Sequence, residues 1–246
     1  MNIFIYYEIY VYLIMKEVNM KKGFTLAEVL ITLGIIGVVA AITIPTLVNN
    51  IQDRHFKALW KKAYSDISNA YADAFMKNPI NMPNRQLMSY SELKLYSQEI
   101  YYQVLSRLTE DYCVTEATQG KACNSNYDTV ENVSPGCMSL NPEEVINRCM
   151  YAGSGGYGQL TNGIRIYAQG YLWHRPAFLV DVNGKKKPNI VGRDMFVIVF
   201  RNNKVIPGGA PEYPCYGCDK SIQSSPGWGG PHTKSGSGCG YKYLYE

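Results

Sequence analysis

Charge is scarce in this sequence. Asp, Glu, Lys and Arg make up 18% of the 246 residues, below the roughly 25% of an ordinary soluble domain. With 24 Lys and Arg against 20 Asp and Glu, the net charge is only +4, so bulk electrostatics gives no reason to expect a nucleic-acid partner, and a DNA claim needs a local basic patch. Histidine is scarcer still, with three positions, His55, His174 and His232. No H-E-x-x-H or G-x-S-x-G accompanies them, which leaves no recognisable metalloprotease or nucleophile-elbow enzyme and makes each a surface or packing residue. No cysteine precedes Cys113, yet the chain holds seven from there on, many for a reducing cytosol and reasonable for an oxidising compartment. What is abundant is apolar and aromatic: 46% hydrophobic residues and 21 Tyr exclude a chain disordered throughout. The length suffices for one full-sized domain or two small ones.

The strongest feature runs from Phe24 to Val48, FTLAEVLITLGIIGVVAAITIPTLV, where Glu28 is the one charged residue. At about 1.5 Å per residue a helix of this length crosses a hydrocarbon core of roughly 30 Å. Lys21 and Lys22 precede it, which holds that end at the cytoplasmic face and sends everything after Val48 outside. A cleavable secretory signal also has a basic start and an apolar run, but this run exceeds the usual length, and the sequence after Pro45 stays helical. Ile51, Phe56, Leu59, Ala63, Ile67, Ala70, Ala74 and Phe75 recur at helical spacing, with Asp53, Lys57, Lys61, Lys62, Asp66 and Asp73 between them. One helix over 24–77 is the economical reading, apolar all round at first and amphipathic later. Glu28 is costly in lipid unless it snorkels to the interface or meets a positive partner within the membrane. Gly34, Gly37, Ala40 and Ala41 offer small surfaces for helix contacts in lipid, although such residues are common in membrane helices anyway.

The string KKGFTLAEVLITLGIIGVVAAITIP resembles the leader junction and first helix of type IV prepilins and of type II secretion pseudopilins. The resemblance covers residues 21–77 and implies a membrane peptidase that cuts after Gly23 and methylates the new amino terminus, Phe24. It implies that Glu28, fifth past the cut, pairs with the amino terminus of a neighbouring subunit, and that Pro45 is a helix-kinking proline used in assembly. The first nineteen residues depart from the short leaders of the family, and MKKGFTLAE reads as a complete start at Met20.

Beyond the helix, two prolines and two asparagines over 78–83 predict a linker. From Ser89 to Tyr112, Leu93, Tyr96, Ile100, Val104 and Leu108 share one helical face, with Ser91 a plausible cap. Residues 113–158 show no sustained period and read as loop-rich and tied by disulfides. GIRIYA from Gly163, AFLVDV from Ala177 and MFVIVF from Met195 read as strands, with Asn-Gly turns at Asn162 and Asn183. The fold class is therefore α+β: a long membrane-spanning amino-terminal helix packed, through its outer half, on a carboxy-terminal antiparallel sheet. The organisation predicted is a leader over 1–23, the helix over 24–77, a helical and loop-rich disulfide-bearing region over 78–160, and the sheet with a Gly/Pro-rich tail over 161–246.

Cys113, Cys123, Cys137, Cys149, Cys215, Cys218 and Cys239 are disulfide candidates of open connectivity, and their odd number leaves one free, buried or paired between chains. Cys215-x-x-Cys218, followed by His232 and Cys239, fits a disulfide clamp better than a zinc or redox site. GSGGYG over 153–158 matches G-x-G-x-x-G only formally, because a strand and not a helix is predicted after it. Asp181, Asn183, Asn189 and Asp194 put four oxygen-bearing side chains into DVNGKKKPNIVGRD, a weak calcium candidate. The spacing is not that of an EF-hand, the Lys185–Lys187 run opposes a cation, and a hairpin turn at Asn183-Gly184 explains the same residues. That Lys run, with Arg165, Arg175, Arg193 and Arg201, could form a basic aromatic surface for single-stranded DNA or could be a solvated loop.

The function these residues support is a structural subunit of a type IV pilus or a type II secretion pseudopilus. It is stored in the bacterial inner membrane as a single-pass precursor, cut by a prepilin peptidase, and assembled with other pilin or pseudopilin subunits into an extracellular or periplasmic filament. No enzyme activity and no cofactor is expected, calcium being the one candidate ligand. The alternative is a minor pilin that binds DNA or another ligand.

Overall fold

The structure, a computed structural model, describes residues 23–79, 90–115, 119–123, 137–138, 145–146, 152–169, 176–184, 186–201, 203–212 and 238–246. The leader before Gly23, Met20 included, and Cys149, Cys215, Cys218, His174, His232, Arg175 and Lys185 lie outside these residues. The chain divides into two units, Met1–Asn50 and Ile51–Glu246.

In the first unit the described residues belong almost wholly to helix α1, Leu26–Lys77, of which residues 26–50 lie here. Leu30, Ile31, Leu33, Ile35, Ile36, Val38, Ile42, Ile44 and Leu47 are all exposed. A helix apolar all round has no polar face to offer water, so this part needs a solvent other than water. The hydroxyls of Thr32 and Thr43 donate to the carbonyls of Val29 and Val39, which hides the polar atoms a lipid environment would penalise. Pro45 sits within the helix and lacks an N–H, so the turn before it loses one ladder bond.

The second unit is the α+β domain anticipated from the sequence. Residues 51–77 of α1 bury Phe56, Trp60, Ala63, Ile67, Ala70, Tyr71 and Ala74, a stripe at alternating four- and three-residue steps. Ile51, expected on that stripe, is exposed, whereas Trp60 is wholly buried at its centre. Helix α2, Tyr90–Leu108, buries Leu93, Ile100, Tyr101, Val104 and Leu105. It starts one residue before Ser91, which therefore lies within its first turn and is not its cap.

Among the described residues eight strands follow: β1 Tyr112–Val114, β2 Cys137–Met138, β3 Val145–Ile146, β4 Ala152–Gln159, β5 Arg165–Gln169, β6 Ala177–Asp181, β7 Met195–Arg201 and β8 Lys204–Pro207. Six form one antiparallel sheet in the order β1-β4-β5-β6-β7-β8, and β2 pairs with β3. Period-2 alternation turns Ile166, Ala168, Phe178, Val180, Phe196, Ile198 and Phe200 toward the two helices. There Trp60 stacks on Phe196 at 4.5 Å, Tyr71 meets Phe200 at 4.9 Å and Tyr101 meets Phe178 at 5.4 Å. Each aromatic pair adds about 0.5–1.5 kcal/mol beyond area burial.

Several elements differ from the sequence expectation: β8 lies where no strand was expected, and β1, β2 and β3 fall in or beside the stretch that read as loop-rich. β4 contains Gly153–Gly158, which had read as loop. Glycine carries little strand propensity, but here it lets α2 approach the sheet: a Cβ on Gly155 would stand 2.7 Å from the Tyr101 ring, and one on Gly158 2.8 Å from Leu105. Near the end of the chain a short helix, α3 Cys239–Tyr245, replaces irregular tail. Gly240 within it accepts a 2.9 Å hydrogen bond from Trp60, so packing and not propensity holds it.

Candidate processing and assembly site

Thr25 immediately precedes α1, and Glu28 occupies its third position, so the two form a capping box. The Glu28 carboxylate accepts from the Thr25 backbone N–H at 2.8 Å and from its hydroxyl at 2.9 Å. Thr25 Oγ1 in turn accepts from the Glu28 N–H at 3.2 Å. The acid is thus held at the start of the apolar run with its Oε2 turned to Thr25. Phe24, just before the box, is 87% exposed.

Gly23 would meet nothing within 4 Å if it carried a Cβ, and the same holds for Gly34 and Gly37. Among the described residues no packing requires those glycines. The sequence had singled out Gly23, Phe24, Glu28 and Pro45; Thr25 was missed, although Thr-x-x-Glu before an apolar run is a readable helix-start signature.

The family model described as the prokaryotic N-terminal methylation motif matches residues 18–44. This is a prepilin segment. The match spans the Lys pair, Gly23, the capping box and most of the uncovered apolar run. A prepilin segment on an apolar helix fits a membrane-anchored precursor and a pilin-like structural subunit. No curated protein and no solved structure matches the chain.

Outside the prepilin segment, Cys113 and Cys123 form a disulfide that ties β1 to the turn beyond it. Cys239 is also disulfide-bonded and fully buried. The backbone of Cys137 lies in β2. Of the basic residues considered for DNA, Arg165 is buried and Arg193 pairs with Asp53 at 2.6 Å, so neither is offered to phosphate. Arg201 donates to the Glu212 carbonyl at 3.2 Å.

Asp181, Asn183, Asn189 and Asp194 are brought together by the β6–β7 connection. Asp181 ends β6 and Asp194 precedes β7. The Val182 N–H donates to the Asp194 carbonyl at 2.9 Å, closing the loop at its base. Both acids are buried, Asp181 at 2% exposure and Asp194 at 0%. Burial, and then the Asp194 charge, push the Asp181 carboxyl up to about 8. Asp194 is raised as well, chiefly by burial. Among the described residues no three His, Cys, Asp or Glu side chains gather into a metal-binding group, so any cation here would rest on mixed acid and amide oxygens.

Proposed function

We propose that this chain is a subunit of a type IV pilus or a type II secretion pseudopilus, cut after Gly23, methylated at Phe24 and assembled through residues 24–50 of α1. The observation that carries this reading is the prepilin segment on a helix whose apolar side chains are left exposed among the described residues. Burying them in lipid, and then among the same helices of neighbouring subunits, satisfies the same apolar surface twice. Each large aliphatic side chain so covered is worth about 1.5–3 kcal/mol. Glu28, released from Thr25, then pairs with the amino terminus of an adjacent subunit, and such head-to-tail contacts repeat without closing. The second unit carries the outer surface of the filament.

Mass spectrometry of the protein from cells with an active prepilin peptidase tests this. The expected amino-terminal peptide begins with methylated Phe24. A chain still joined through Gly23 to Phe24 in such cells overturns the reading.

A further inference from the structure

Positive charge gathers just past the point where the apolar run of α1 ends. Between Ile51 and Lys62 the sequence carries Arg54, Lys57, Lys61 and Lys62 against the single acid Asp53. Arg54, Lys57 and Lys61 stand three and four residues apart, so they share one face of the helix, apart from the stripe that Phe56, Trp60 and Ala63 bury. Insertion topology gives no reason for this group, because Lys and Arg favour the cytoplasmic end of a span and not its far end.

Contacts within the second unit sort these charges. Asp53 is already neutralised: its Oδ1 accepts from Arg193 Nε at 2.6 Å, which ties the β6–β7 loop to this turn of α1. Lys57 is held by Glu246 at 2.6 Å and lies over the Tyr243 ring at 4.2 Å. Lys62 pairs with Asp66 at 3.0 Å. Arg54 and Lys61 are exposed, and among the described residues neither side chain has an ion pair or hydrogen bond. Lys186 and Lys187, on the loop that Arg193 tethers, are exposed as well.

Distance along the helix decides what these cations meet. At about 1.5 Å per residue Arg54 lies roughly 9 Å past Val48 and Lys61 roughly 20 Å. The headgroup layer on each side of a bilayer is about 5–7 Å deep, and its field extends about 8 Å further at physiological salt. The apolar run, roughly 37 Å as a helix, is longer than the hydrocarbon core, and the tilt that absorbs the excess brings both residues nearer the surface. Arg54 thus reaches the phosphate layer and the long Lys61 side chain enters its field.

We propose that Arg54 and Lys61, supported by Lys186 and Lys187, bind the headgroups of anionic phospholipids at the surface where α1 leaves the membrane. The guanidinium fork of Arg54 suits a phosphate bidentately, and the lysines act as point charges. A zwitterionic headgroup offers the same phosphate with its own cation beside it and gains little. The inference rests on the reading of residues 24–48 as a membrane span and not on cleavage or filament assembly. A chain that never yields methylated Phe24 can still select its lipids, so the two readings fail separately.

The test reconstitutes the full chain in phosphatidylcholine bilayers and measures, by spin resonance of labelled lipids at the protein boundary, the preference for phosphatidylglycerol over phosphatidylcholine. At about 0.01 M salt the preference should be at least about threefold, and it should collapse at about 1 M, where the screening length is about 3 Å. Arg54→Gln combined with Lys61→Gln removes charges that no contact of the described fold uses. It should leave the Tm unchanged and reduce the preference by about half or more. Adding Lys186→Gln and Lys187→Gln should reduce it further. Lys21→Gln with Lys22→Gln, on the other side of the span, should leave a clear preference. Equal affinity for the two lipids overturns the proposal. A preference that survives loss of Arg54 and Lys61 intact, or that disappears with Lys21 and Lys22, overturns it too, the latter by moving the contact to the cytoplasmic end. Excess inorganic phosphate at matched ionic strength should change nothing. If it abolishes the preference, the cations recognise free phosphate and the lipid assignment falls.

Discussion

The indole N–H of Trp60 donates to the carbonyl of Gly240 at 2.9 Å, joining α1 to α3 across 180 positions of sequence. The same indole stacks on Phe196 of β7, so one side chain links the two helices and the sheet. Trp60→Phe keeps much of the ring and leaves the Gly240 carbonyl without its donor, for an expected loss of about 1–3 kcal/mol. Trp60→Ala also opens a cavity and should cost about 3–5 kcal/mol. Urea unfolding of the detergent-solubilised chain measures both. Equal losses would mean that the stacking contributes nothing.

The glycines of β4 should rank by what stands beside them. A Cβ on Gly156 would lie 2.5 Å from the Cys113 backbone carbonyl, at a φ of 139°, and neither strand can give way without breaking their pairing. On Gly155 or Gly158 it would meet the side chains of Tyr101 or Leu105, which can shift at a cost of about 1–3 kcal/mol. At Gly163 the space is open and only the left-handed backbone, φ 87°, is penalised, by about 1–2 kcal/mol. Alanine at Gly156 should therefore destabilise most and at Gly163 least by thermal denaturation. The reverse order would show that α2 does not press on β4.

These glycines also show where sequence reading stops. β5, β6 and β7 announced themselves through β-branched and aromatic alternation, and α1 through its helical stripe, because each signal is contained in the element itself. β4 gives no such signal: its residues are chosen by the ring of Tyr101 and by Leu105, which arrive from another element. Trp60 and α3 went unread for the same reason, since each is explained by the other. In the candidate site, Gly23, Phe24 and Glu28 could be named because the prepilin signature, which the match over residues 18–44 supports, is local. Asp181 and Asp194 could be named from the sequence, but their burial and the opposition of Arg165 to Asp181 are consequences of strand register.

Asp73 of α1 accepts from Arg107 of α2 at 2.8 Å and from Lys77 at 3.0 Å. The Arg107 hydrogen bond, then that of Lys77, holds the Asp73 carboxyl below its ordinary value. A carboxyl depressed in the folded state stabilises it above the unfolded pKa, near 3.8, and that contribution is lost as pH falls through the folded pKa. Asp73→Asn should lower the Tm slightly near neutrality and leave it unchanged in strong acid. A Tm difference that persists undiminished at the lowest pH would mean that the pair acts through shape alone.

The capping box separates two roles for one carboxylate. In the single chain Glu28 is satisfied by Thr25, so the proposed pairing with a neighbour's amine would exchange two hydrogen bonds for one charge pair. Gln at this position can still accept from the Thr25 N–H and hold the helix start, but it carries no charge. Ala at Thr25 does the opposite: it removes the hydroxyl, at a local cost of about 0.5–2 kcal/mol, and leaves the acid its charge with only the backbone N–H to give up before it finds the amine. Glu28→Gln should thus be cut and methylated normally, remain in the membrane fraction and be missing from sedimented filaments. Thr25→Ala should be incorporated. The opposite pattern, with Glu28→Gln assembled and Thr25→Ala excluded, would assign Glu28 to capping and take the charge pair out of assembly.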